Sequence, residues 1–123
     1  MLTTFEDITP NIKPHEEVMA RRIAVNINEK CVGKEKAVSN KRLREAILLK
    51  DGVKIHSIRI RKMINYIRAN NLVVRLCANN KGYFKAANDE EWEKWKESMQ
   101  QRINEMQAIL DSAIYFNDGK ETL

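Results

Sequence analysis

The sequence predicts an α+β chain that is mostly helical: three helices and a β-hairpin, followed by a long C-terminal helix. Three stretches carry that prediction. Within 57–70, Ile60, Met63, Ile64 and Ile67 have the i, i+3, i+4, i+7 spacing of a helix stripe that buries against a core. Directly after it, Leu72-Val-Val-Arg-Leu-Cys-Ala78 and Tyr83-Phe-Lys-Ala86 have the β-branched, aliphatic and aromatic content of strands. Asn79-Asn-Lys-Gly82 between them has turn composition, because Asn and Gly accept positive φ at low cost. Finally Trp92, Trp95, Met99, Ile103, Met106, Ile109, Leu110 and Ala113 recur every three to four residues, as on one face of a long helix.

In chain order, residues 1–13 read as irregular, since Pro10 and Pro14 stop a helix from crossing them. Pro14 suits the first turn of a helix whose acidic start, Glu16-Glu17, complements its dipole. That helix runs to about Glu29 and places Val18, Met19, Ile23 and Ile27 inward. His15, at its start and without a partner, reads as a surface or capping group. Lys30–Lys36 is a loop in which Gly33 suits a helix stop, and Lys34–Val38 could supply a short strand beside the hairpin. Ser39 or Asn40 caps a second helix that buries Leu43, Ala46 and Ile47 and ends at Asp51-Gly52. Val53 and Ile55 lead into the 57–70 helix. Asn88, with an acid at Glu91, opens the last helix, expected from Asp89 to about Tyr115. The chain therefore divides into an N-terminal arm and helix (1–37), a core (38–87), a long amphipathic helix (88–116) and a disordered tail (117–123).

The formal net charge of +5 is distributed unevenly. Residues 34–86 hold 14 Lys+Arg against 3 Asp+Glu, whereas 87–123 hold 4 against 9. A basic middle is the footprint of a polyanion-binding surface, to which the acidic tail does not belong. The outer side of the 57–70 helix carries Ser57, Arg61, Lys62, Asn65 and Arg68, with Arg59 on its flank. Cations and amides at successive turns are the residue types that read phosphates and base edges in a major groove.

Helix, short connection, basic helix is the helix-turn-helix order, and a hairpin directly afterwards makes it that of a winged helix. Ile60-Arg-Lys-Met-Ile-Asn-Tyr-Ile-Arg68, then Leu72-Val and Lys81-Gly82-Tyr83, resembles the winged-helix DNA-binding domain of the biotin repressor. It is more similar still to small winged-helix proteins of phages and prophages, in which a Lys-Gly-Tyr-Tyr/Phe wing is often followed by a long C-terminal helix. The likeness covers about 38–115 and implies that Arg61, Lys62 and Asn65 face DNA, with Asn80 and Lys81 at the wing tip. No ligase or metabolite-binding segment accompanies it, so nothing about biotin carries over. Asn70-Asn71 stands where such proteins often have Gly, a replacement that the left-handed conformation tolerates.

The expected function is double-stranded DNA binding in phage or bacterial transcription control or replication. Arg61, Lys62 and Asn65 would meet base edges, Lys41, Arg42, Arg44 and Lys54 phosphates, and Lys81 a neighbouring groove or phosphate. Tyr83 and Phe84 could stack on bases, but pack under the hairpin in the favoured reading. The alternative function is a protein-interaction module whose working surface is the last helix: Trp95, Met99, Ile103, Met106 and Leu110. That stripe either folds back on the first helix or pairs with the same helix of a second subunit. No enzyme is expected: there is no phosphate-cradling glycine loop and no local nucleophile arrangement. Cys31 and Cys77 lie far apart without metal-ligand spacing, so no metal or cofactor is expected, and the thiols suit a reducing cytoplasm. No run is long and apolar enough for a membrane span.

Overall fold

The computed structural model describes residues 9–118. The first eight residues and those from Gly119 on lie outside it, including most of the 117–123 stretch expected as a disordered tail. The elements are α1 (Pro14–Lys30), α2 (Asn40–Asp51), α3 (Ser57–Ala69), an antiparallel hairpin of β1 (Leu76–Asn79) and β2 (Gly82–Lys85), and α4 (Asp89–Asn117), with a 3-10 turn at Lys34–Lys36. This is an α+β chain with a long C-terminal helix. It divides into two compact units between Trp92 and Glu93.

In the first unit, α1 begins at Pro14, whose ring pre-sets φ and whose missing N–H costs nothing there. Its inner face is Ala20, Ile23, Ala24 and Ile27, all buried. Val18 points out, 60% exposed, against the expectation. The small Ala20 and Ala24 permit close approach to α3, and that rotation of the helix carries Val18 to the outside. Residues 14–30 thus share a core with 38–87. On α3, Ile60, Met63, Ile64 and Ile67 are buried as the spacing predicts. α2 adds Leu43 and Ile47 but leaves Ala46 exposed. Fully burying one such aliphatic side chain contributes about 1.5–3 kcal/mol, so these three stripes dominate the unit's stability.

The caps follow from the residues present. Ser39 Oγ accepts from the Arg42 N–H at 3.1 Å, and Gly52 closes α2 at φ 69°. Asn71 takes the left-handed position after α3 at φ 52°, and the Leu72 N–H returns to the Ile67 carbonyl at 3.0 Å. The strand expected from Leu72 starts only at Leu76, because Arg75 is also left-handed, at φ 58°, and no extended run crosses it.

The hairpin's second edge is covered. Val38 exchanges both backbone bonds with Tyr83, at 2.9 and 2.8 Å, and Val32 bridges Lys85. The strand expected over 34–38 is reduced to Val38, since Lys34–Lys36 coils into the 3-10 turn. Gly82 sits at this contact: a Cβ there would lie 2.1 Å from the Val38 carbonyl oxygen. In the turn itself, neither Asn79 nor Asn80 has positive φ. Asn79 works instead through its side chain, whose Oδ1 accepts from the N–H groups of Lys81 and Gly82 at 2.8 and 3.1 Å.

In the second unit, α4 continues from Glu93. Gln100–Asn104 and Gln107–Asp111 bonds at 3.0 and 2.8 Å support its polar side at i, i+4 spacing. Trp95 and Met99 are half-buried, while Ile103, Met106 and Leu110 are exposed.

Candidate nucleic-acid interface

The starts of α2 and α3 and the hairpin converge on one side chain, Asn40. Its amide donates to the Ser57 carbonyl at 3.0 Å and to the Tyr83 hydroxyl at 3.4 Å, while its Oδ1 accepts from Arg44 Nε at 2.9 Å. One residue thus joins two helix N-termini, whose dipoles favour anions, to the strand behind the hairpin tip. Nothing local marked Asn40 for this task, because Asn at a helix start reads as a cap. Tyr83 is half-buried with its hydroxyl on Asn40, and Phe84 is buried.

Of the four cations on α3, only Arg61 is exposed. The flank made by residues 59, 62 and 66 is held by the start of α1 and the segment before it. The Arg59 guanidinium grips Glu16 through two nitrogens, Nε at 2.8 Å from Oε2 and Nη2 on Oε1. Glu16 is almost wholly buried, and its other bond comes from the Lys13 N–H at 2.8 Å. The Arg59 bond outweighs the cost of burial and holds the Glu16 carboxyl below its ordinary value. Tyr66 donates to Glu17 at 3.3 Å.

Lys62 corrects the sequence reading of this face. Expected outside and facing DNA, it is only 4% exposed and donates to Thr9 Oγ1 at 3.0 Å. Helical spacing does set it opposite the apolar stripe, but the segment around Thr9 covers it, a contact 53 residues away in sequence. Glu16 was likewise readable only as a dipole partner, since its burial depends on Arg59 across 43 residues.

On the outer side, Arg61 is exposed and Asn65 is half-buried. Arg68 turns inward, donating from Nε to the Leu76 carbonyl at 3.4 Å and from Nη1 to Asn65 Oδ1 at 3.2 Å. Burial lowers the Arg68 pKa, although a guanidinium stays charged at any physiological pH. Its role in this geometry is to tie α3 to β1 and to orient the Asn65 amide. Ser57 is half-buried at the helix start.

Lys41 and Arg42 on α2, Lys54 before α3, and Asn80 and Lys81 at the hairpin tip are exposed; Arg44 is half-buried against Asn40. The predicted set therefore splits. Lys41, Arg42, Lys54, Arg61, Asn80 and Lys81 are exposed, while Arg44, Arg59, Lys62, Asn65 and Arg68 are buried or half-buried against partners inside the unit. Such an arrangement can neutralise a polyanion from α2, α3 and the hairpin tip while structural contacts keep the remaining cations in place.

Both cysteines are buried thiols. Burial, as the largest cause, raises the Cys77 pKa to about 11, which leaves it protonated and unreactive at neutral pH. Among the described residues no group of three His, Cys, Asp or Glu side chains is placed to hold a metal ion, and no helix is long and apolar enough to cross a membrane. No family model, curated protein or solved structure matches the chain.

Proposed function

We propose that the first unit is a winged helix-turn-helix that binds double-stranded DNA, in phage or bacterial transcription control or replication. The observation that carries this reading is the sorting of cations. Arg59, Lys62 and Arg68 are held inside the unit by Glu16, Thr9, Asn65 and the Leu76 carbonyl, whereas Lys41, Arg42, Lys54 and Lys81 are exposed, as is Arg61 on the same helix. The isolated bridge of Val38 to Tyr83, which ties the hairpin to the segment ahead of α2, supports the same reading.

In this mechanism α3 enters the major groove. Arg61 suits guanine, and Asn65, oriented by Arg68, suits adenine. Lys41, Arg42 and Lys54 neutralise backbone phosphates, and Lys81 reaches the adjacent groove. Lys62 and Arg59 take no part in base contact; they hold α3 against the start of α1. The test is an alanine series read on a selected duplex and on random duplex. Arg61→Ala should weaken the selected site by ~1–3 kcal/mol with little change on random DNA, whereas Lys41→Ala should weaken both about equally. Equal losses on the two duplexes for Arg61→Ala would remove it from the base-reading role.

A second reading has its own observation. Ile103, Met106, Ile109 and Leu110 of α4 are all exposed, an apolar surface of the kind that marks a protein-binding site. DNA binding by the first unit and protein binding by α4 are compatible in one chain.

A further inference from the structure

A cleft of about 420 Å³ lies between α1 and α2, on a floor of Met19, Ile23, Leu43 and Ile47. Its rim carries Lys30, Lys36, Arg42 and Lys50, and among the described residues no Asp or Glu lines it. Arg22, also on the rim, is paired with Asp51 at 2.9 Å. Along the outer side of α1 the apolar surface continues through Val18 and Val25, beside a second hollow that shares Lys30 and Lys50 with the first and also takes in Glu29. Several cations around an apolar floor call for an occupant that is both apolar and anionic.

The chain contains such a segment. Residues 103–118, the end of α4 and the residue after it, carry Glu105, Asp111 and Asp118 and no Lys or Arg. On the same segment Ile103, Met106 and Leu110, at i, i+3, i+7 spacing, are 52, 69 and 52% exposed. The C-terminal end of a helix adds partial negative charge, and α4 has no basic residue in its last turn to offset it. We propose that residues 103–118 of one copy dock in the α1–α2 cleft of a second copy, in a reciprocal two-fold dimer. The apolar anchors enter the floor as a helix laid in a groove, and the carboxylates meet Lys30, Lys36 and Lys50 at the rim. Reciprocal exchange seats two helices in two grooves, which doubles the area that a single docking buries. Like charges on the two clefts oppose cleft-to-cleft association and favour helix-to-cleft docking.

The inference does not rest on DNA binding, and its test avoids Arg42, which the DNA reading also uses. Sedimentation of the full chain over a concentration series should show a monomer–dimer equilibrium. The cleft variant Lys30→Glu/Lys50→Glu and the helix variant Met106→Ser/Leu110→Ser should each weaken it by on the order of tenfold or more. All four side chains are exposed, so both variants should keep the wild-type circular dichroism. Mixing the two variants should recover dimer beyond either alone, because one intact helix then meets one intact cleft. A wild-type monomer at every concentration overturns the proposal. So does a dimer indifferent to the cleft variant, which would set the α4 helices against each other, and so does a mixture that fails to complement.

Discussion

Arg59 and Arg61 are two residues apart on one helix and have opposite fates, which shows what decides the use of a cation here. Arg59 meets a buried carboxylate and becomes part of the packing, while Arg61 is exposed at the surface. The Glu16–Arg59 pair has a consequence for stability. Its folded-state pKa lies below the ordinary 4.5, so its contribution is fully present above about pH 4.5 and is lost as pH falls through the folded value. Glu16→Gln should cost ~1–3 kcal/mol at neutral pH, and urea titrations at pH 7 and pH 3 should show the gap to wild type closing in acid. An unchanged gap would mean that the carboxylate's charge contributes nothing. Cys77, fully buried with its pKa raised to about 11, should resist alkylation until the chain unfolds, which a thiol-labelling time course in rising urea would reveal.

At the scale of elements, regularity within one helix was legible and contact between distant segments was not. The starts of α1 and α4, at Pro14 and Asp89, are where proline, acidic first turns and the Asn88 cap set them, and Gly52 and Asn71 end α2 and α3 as their backbone freedom predicts. Val18 and Lys62 were misplaced because covering one residue and uncovering another depends on which segment packs alongside, information that periodicity lacks. Leu72–Val74 looked like strand from composition alone, yet Arg75 turns the chain before pairing begins. The hairpin supplies the sharpest element-level prediction. Gly82 combines φ 142° with a Cβ position 2.1 Å from the Val38 oxygen, so Gly82→Ala must push the hairpin away from the segment before α2. The expected loss is on the order of 2 kcal/mol or more, read from thermal or urea unfolding. Because Asn40 joins the hairpin to both helix starts, the same substitution should also weaken DNA binding at temperatures where the protein remains folded.

For the whole molecule, the division of charge is the organising feature: a basic stretch across α2, α3 and the hairpin, and an acidic α4. That division was readable from residue counts. Which cations reach the surface was not readable, because Glu16 pairs with Arg59 and Thr9 accepts from Lys62 from far along the chain. A fluorescence-anisotropy titration of duplex DNA across a salt series tests directly the proposal that the exposed cations form a DNA-binding face. Five exposed cations, Lys41, Arg42, Lys54, Arg61 and Lys81, can each displace a counterion, so affinity should fall steeply between about 50 and 200 mM salt, by roughly two to three orders of magnitude. Lys41→Ala should make that slope shallower by about one. Absence of binding at about 50 mM salt, or binding that salt leaves unchanged, would contradict the claim.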